Sequence, residues 1–252
     1  MKFYYLTDES EKSLAPFFSK RVLETVMAGV AIVGVFMVVF WSRRPLAELI
    51  AAGDTPRIFF LIFAATLIVY SYVNLCCGGG ELVRRGDYMM NYRSDKPTHE
   101  QEIAFYRYGL IEFMLHTIVL LLPFLPLLSL AAFSSAVSMT TFVMAVAVLF
   151  ATSLLCRLAG FLVYLLWGRS STLGYFAARG LMLFFVLATL FFAPAINPLR
   201  QLYRLNQNPD SGGDLFAICI AAVSFAILAL ILINNALVSR YINKTGGSEV
   251  QG

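Results

Sequence analysis

The chain has 252 residues, of which 59% are hydrophobic and only 13% charged, with a formal net charge of +4. A soluble domain usually carries about 25% charged residues, so half the normal water-facing chemistry is missing and no segment is large enough to fold alone in water. The basic residues form no run interleaved with exposed aromatics, which leaves a nucleic-acid binder without its footprint.

In chain order, residues 1–21 open with Met1-Lys2-Phe3-Tyr4-Tyr5 and stay charged through Arg21. This is too acidic and polar for a cleaved signal peptide, so the first span is expected to act as its own insertion signal. Leu14, Phe17 and Phe18 give the stretch an apolar side while Glu11, Lys12, Lys20 and Arg21 stay wet. That is the pattern of a helix lying in the headgroup plane.

Six segments then supply the roughly 20 apolar residues that a spanning helix needs: 22–41, 58–77, 108–133, 140–167, 175–195 and 215–239. The expected fold is all-α, one polytopic transmembrane domain over residues 1–252. Among the connections, 42–57 is short and holds Arg43-Arg44-Pro45 and Gly53-Asp54-Thr55-Pro56. The longest polar connector is 78–107. A small uncharged link surrounds Ser134-Ser135, and Gly168–Gly174 is a tight Gly/Ser turn. Residues 196–214 are too polar to cross and too long for a simple turn, so an external loop is expected there.

Orientation follows from Lys and Arg. Lys2, Lys12, Lys20, Arg21, Arg84, Arg85, Arg93, Lys96, Arg107, Arg157, Arg169, Arg179, Arg240 and Lys244 fall on one side, and only Arg43, Arg44, Arg57, Arg200 and Arg204 on the other. The positive-inside rule therefore puts both termini and the 78–107 connector in the cytoplasm. The ionisable residues within spans are Glu24, Glu112, His116, Arg157 and Arg179. Arg157 comes about 26 Å along a helix descending from outside, so all five sit toward the inner rim. Long side chains there are expected to reach water. A midplane nearly free of charge argues against a proton pump or an ion-coupled carrier.

The chemical motifs fail one by one. His99-Glu100-Gln101-Glu102-Ile103 starts like a zinc-protease helix but puts Ile103 where the second histidine belongs. Gly168-Arg169-Ser170-Ser171 is not a serine-hydrolase elbow. Gly78-Gly79-Gly80 is followed by Glu81-Leu82, so there is no P-loop and ATP hydrolysis is not expected in this chain. Cys76, Cys77, Cys156 and Cys219 show neither metal-ligand spacing nor a disulfide framework, and read as small apolar core residues.

Glu112 and His116 share a helix face, and the simplest account pairs Glu112 with Arg157 in an inner-rim polar cluster of Glu24, Glu112, His116 and Arg157. Pro123 and Pro126 are expected to kink the third span, either lining a pathway or serving an ordinary bundle. Asn74, Asn234 and Asn235 are candidate helix–helix hydrogen-bonding sites.

Within the long connector, Glu81–Met90 reads as a short helix with charges on one side. Pro97-Thr98-His99-Glu100-Gln101 then starts a new helix through a Thr-x-x-Gln capping box. A short amphipathic helix below the membrane suits docking into a groove on a cytoplasmic partner, or a basic loop held by anionic lipid.

This layout resembles the type-2 ABC exporter permeases over nearly the whole chain. Glu81-Leu82-Val83-Arg84-Arg85-Gly86 is similar to the family's charged segment after span two. Lys96-Pro97-Thr98 with Tyr106-Arg107 resembles the step into span three. Leu121-Leu122-Pro123 through Val137-Ser138 to Gly168-Arg169-Ser170 is similar to spans three and four, and Asn197-Pro198-Leu199 resembles the Asn-Pro after span five. The resemblance implies an exporter half that pairs with an identical or related permease subunit in the bacterial inner membrane. It implies no cofactor in this chain, with ATP and Mg held by separate cytoplasmic ATPase subunits. It also implies a coupling helix in which Glu81, Arg84, Arg85, Asp87 and Tyr88 meet the ATPase. The rival classes are a membrane-embedded enzyme acting on lipid intermediates and a structural subunit of a membrane complex.

Overall fold

The structure, a computed structural model, describes residues 20–40, 56–92, 114–167, 180, 192, 194–207 and 209–248. The described residues form six helical elements. Helix α1 is Lys20–Phe40, α2 is Pro56–Tyr92, α3 is Met114–Ser134, α4 is Met139–Trp167, α5 is Pro198–Gln207 and α6 is Pro209–Ser248. The interfacial helix expected over 1–21 lies outside them, apart from Lys20 and Arg21, which already belong to α1.

Among the described residues, four helices are long and apolar enough to cross a membrane, over Ile58–Gly78, Met114–Ser134, Met139–Val163 and Phe216–Leu237. The apolar part of α1, Glu24–Val39, is shorter. The expected span at 175–195 falls almost wholly outside the described residues.

Helix α2 is the centre of the bundle. It packs most extensively on α4 and also meets α1, α3 and α5, while α6 lies against α4. Its apolar side chains are buried on nearly every side, among them Ile58, Phe59, Ile62, Phe63, Leu67, Tyr70, Val73 and Leu75. Helix α1 instead presents one stripe, Val26, Val33 and Met37, and leaves Ile32, Val35, Val38 and Val39 exposed. The spacing of i, i+3/4, i+7 buries one helix face, and the other face is apolar as well.

Three pairings fix direction. The Phe59 N–H donates to Ser135 Oγ at 3.1 Å, Ser71 Oγ meets Ser153 Oγ at 3.3 Å, and Gly160 abuts Leu75. Helices α2 and α4 therefore run parallel, and α3 runs antiparallel to α2. Ser135 also supplies α2 with a partner for one of its first-turn amides, which a helix start leaves without intrahelical acceptors.

Two prolines shape α3. At Pro123 the helix tightens into a 3-10 turn, Leu122–Phe124, and Pro126 sits in the first turn of the α-helix that resumes at Leu125–Ser134. Proline lacks the amide that would continue the ladder, so the expected distortion is present.

The α3–α4 link is a Schellman closure. Val137 N–H donates to Ala132 O at 3.0 Å and Ala136 N–H to Phe133 O at 3.2 Å. Ser138 Oγ then accepts from the Thr141 amide at 3.1 Å and caps α4. Ala136 occupies the left-handed position with φ 50°, where a Cβ costs about 1 kcal/mol or more. Replacing Ala136 by glycine is expected to raise stability by about 1 kcal/mol, read as a higher melting temperature in detergent. Ala136→Val is expected to lower it.

Two helices run past the span ends read from hydropathy. Helix α2 does not stop at 77 but continues without a break to Tyr92, 37 residues in all, and takes in the short helix expected over Glu81–Met90. At 1.5 Å per residue, the part beyond Gly78 reaches about 21 Å past the apolar span. The 196–214 region, expected as an external loop, is largely helical. It contains α5, and α6 starts at Pro209, ahead of the expected 215.

Candidate functional site

The polar groups of the bundle converge where α2, α3 and α4 meet. Arg157 is the anchor. It lies on α4, six residues before Val163 closes the apolar span, about 9 Å inside that boundary. The long side chain was expected to reach water, yet the residue is only 2% exposed. Its Nη1 donates to Asn74 Oδ1 at 3.1 Å. A charge taken out of water is costly unless it gains charge-assisted hydrogen bonds, and this inward bond explains why the guanidinium need not run to the rim.

Asn74 works in both directions. Its Oδ1 also accepts from Thr117 Oγ1 of α3 at 3.4 Å, and its Nδ2 donates to the Tyr70 carbonyl at 3.0 Å. The Tyr70 hydroxyl donates in turn to the Thr117 carbonyl. Tyr70, Asn74 and Thr117 are fully buried. The Tyr70 ring stacks at a tilt on Phe124, centroids 5.6 Å apart. Three helices are thereby joined by side chains that would each be expensive to bury singly.

Glycine permits the approach. A Cβ on Gly78 would lie 2.0 Å from the Arg157 carbonyl oxygen, and one on Gly160 would lie 2.1 Å from the Leu75 carbonyl oxygen. The two backbones therefore touch reciprocally at the level of Arg157. Such small-residue contacts let membrane helices pack closely where no hydrophobic force drives them together. On the far side of α4, Asn234 of α6 donates from Nδ2 to the Leu158 carbonyl at 3.2 Å. Buried Thr152 Oγ1 and Asn234 Oδ1 have no hydrogen-bond partner among the described residues.

Three further residues belong to the expected inner-rim cluster. Glu24 is exposed in α1, and His116 is half-buried beside Thr117. Glu112, the expected partner of Arg157, lies outside the described residues. Asn74 and Asn234 do make interhelical bonds, as expected of them. Sequence reasoning did not single out Tyr70, Thr117, Ser71, Ser153 or Gly160. The one available signal was the interruption of apolar runs by glycine and small hydroxyl residues. Glu81, Arg84, Arg85, Asp87 and Tyr88 all lie in the extension of α2; their side chains fall outside the described residues.

A second polar locus stands at the opposite end. Asn197 caps α5, its Oδ1 accepting from the Arg200 amide at 3.1 Å, with Pro198 as the first helical residue. Gln201 is fully buried and donates from Nε2 to the Pro194 carbonyl at 2.7 Å, while its Oε1 has no partner among the described residues. Cys219 Sγ of α6 donates to the Ile196 carbonyl at 3.4 Å. Tyr203 meets Phe60 of α2 edge-on at 5.3 Å.

Chemically, the inner junction is a clasp. Arg157 and Thr117 bond to Asn74, and Tyr70 bonds to Thr117, so it fixes the register of α2, α3 and α4. No protein-family model, curated protein or solved structure matches this chain.

Proposed function

We propose that this chain is the membrane-spanning permease subunit of an ATP-driven transporter of the type-2 ABC exporter class. In this reading it pairs with a second permease subunit around the substrate pathway and is driven by separate cytoplasmic ATPase subunits. The carrying observation is the continuity of α2. One 37-residue helix bears the Asn74 clasp and, beyond Gly78, the positions Glu81, Arg84, Arg85 and Tyr88. These stand at i, i+3, i+4 and i+7, one helical stripe. A partner that displaced this extension would move α2 as a rod. The glycine contact at Gly78 and Gly160 would pass the motion to α4. Coupling of this kind biases a two-state bundle through contacts that differ between its states.

Chain direction supports six crossings with both termini inside. Helix α4 ends at the same end of the bundle as the α2 extension, whereas Pro194 and α5 stand beside the start of α2. The 26 residues between Trp167 and Pro194 are enough for one more crossing, for which about 20 suffice. The Lys and Arg asymmetry favours a cytoplasmic α2 extension, and in this reading the membrane is the bacterial inner membrane.

The test is co-purification of the full-length chain from its native cells in mild detergent. ATP turnover is expected to elute with it. Glu81→Ala, Arg84→Ala and Arg85→Ala combined are expected to reduce that turnover at least about tenfold, because a central interface contact is worth ~2 kcal/mol or more, with the elution position of the chain unchanged. Wild-type protein that elutes without ATP turnover, or a triple variant that keeps all of it, overturns the reading.

A further inference from the structure

Helix α5 has a composition that its packing alone does not explain. Pro198–Gln207 contains two arginines and no acidic residue. Arg200 and Arg204 are four apart and so share one stripe, one turn from each other. Arg204 is exposed, Arg200 is half-buried, and Tyr203 between them is 44% exposed. Neither guanidinium has an ion pair among the described residues. The opposite side is bolted down: Leu199 packs on the main core and Gln201 is fully buried.

Depth comes from the contacts of α5. Tyr203 meets Phe60, two residues inside the start of the Ile58–Gly78 apolar span. Just before α5, the Ile196 carbonyl accepts from Cys219, three residues inside the start of the Phe216–Leu237 span. At the same end, Phe133 and Met139 flank the α3–α4 turn at 75% and 73% exposure, so the bundle's greasy surface reaches this level. Helix α5 therefore lies at the boundary where headgroups replace acyl chains, the usual depth of interfacial tyrosine.

Arginines that merely kept a surface wet would need no fixed spacing. Here a capped, core-anchored helix fixes the spacing of two arginines. A guanidinium offers a planar fork that matches phosphate oxygens bidentately.

We propose that the Arg200–Tyr203–Arg204 face of α5 binds the headgroup phosphate of an anionic phospholipid in the adjacent leaflet. Tyr203 packs beside the glycerol region and the two arginines close on the phosphate. The contact ties α5 to the bilayer surface. It requires that the chain span the membrane and does not depend on the permease reading.

Native mass spectrometry of the full-length protein, titrated separately with phosphatidylglycerol and phosphatidylcholine, tests this. Wild type is expected to retain phosphatidylglycerol preferentially. Arg200→Gln with Arg204→Gln is expected to weaken that binding about twentyfold, and Arg204→Gln alone about fivefold, from the usual gain per basic group near an anionic surface. Phosphatidylcholine binding stays unchanged. Arg200→Lys with Arg204→Lys is expected to recover part of the loss, keeping charge without the fork. Arg240→Gln with Lys244→Gln, in the far extension of α6, is expected to change nothing. Undiminished phosphatidylglycerol binding in Arg204→Gln overturns the proposal, and so does an equal loss in the Arg240/Lys244 variant. Loss of a homodimer with lipid binding intact would make this face a subunit interface and likewise overturn it.

Discussion

An alanine at Gly78 or at Gly160 is expected to destabilise the bundle by about 3 kcal/mol or more, whereas an alanine at Gly34 is expected to be neutral or stabilising by up to about 1 kcal/mol. All three changes add the same methyl group to a helix, so local propensity predicts the same small gain for each. Surroundings separate them. The added carbon would stand 2.0 Å from a backbone oxygen at Gly78 and 2.1 Å from one at Gly160, and would meet nothing within 4 Å at Gly34. A backbone carbonyl in a helix cannot turn aside, so α2 and α4 would have to part along their largest interface. Gly29 belongs between these extremes, because its new methyl would meet the movable Val69 Cγ1 at 2.8 Å. Thermal unfolding of the purified variants in one detergent gives the ranking directly. If Gly78→Ala melts with Gly34→Ala, the α2–α4 contact is not what holds these helices.

The same two glycines mark where sequence reading succeeds and where it stops. The spans read at 58–77 and 140–167 nearly coincide with Ile58–Gly78 and with helix Met139–Trp167, because hydropathy reports the solvent around a segment. The span read at 58–77 stops just ahead of Gly78-Gly79-Gly80, and glycine is a poor helix former and a common terminator. In the fold Gly78 is a contact surface, and the helix runs on through Glu81-Leu82-Val83-Arg84-Arg85. Propensity is local, whereas the reason for this glycine lies on another helix. Arg157 shows the same limit. Its depth was legible from residue counting, and its inward turn was not, because the acceptor that draws it in belongs to Asn74, 83 positions away. Residues 196–214 were legible as polar but not as helical. Ten residues are too few for periodicity to declare themselves, although Asn197-Pro198 already spelled a cap followed by a first-turn proline.

Asn74→Leu is expected to cost more than Arg157→Met, although arginine is the larger and the charged partner. Removing the amide strips the buried guanidinium of its Nη1 acceptor. Removing the guanidinium leaves only an amide oxygen that still accepts from Thr117. Leaving a buried charge short of a partner is the more expensive of the two losses. Interhelical hydrogen bonds within membranes are modest, up to about 1.7 kcal/mol, so the expected costs are about 3 kcal/mol for Asn74→Leu and about 1.5 kcal/mol for Arg157→Met. The double variant then has no charge to satisfy and is expected to resemble Arg157→Met, giving a coupling of roughly 2 kcal/mol in a double-mutant cycle. Unfolding in a detergent titration measures all three. Additive losses in the double variant would mean that Arg157 and Asn74 stabilise the bundle independently, and the clasp would then owe its strength to Tyr70 and Thr117. Under the proposed function the cycle has a second reading. Arg157→Met keeps the glycine contact and is expected to retain ATP-coupled turnover, while Asn74→Leu loses it along with the register of α2 against α4.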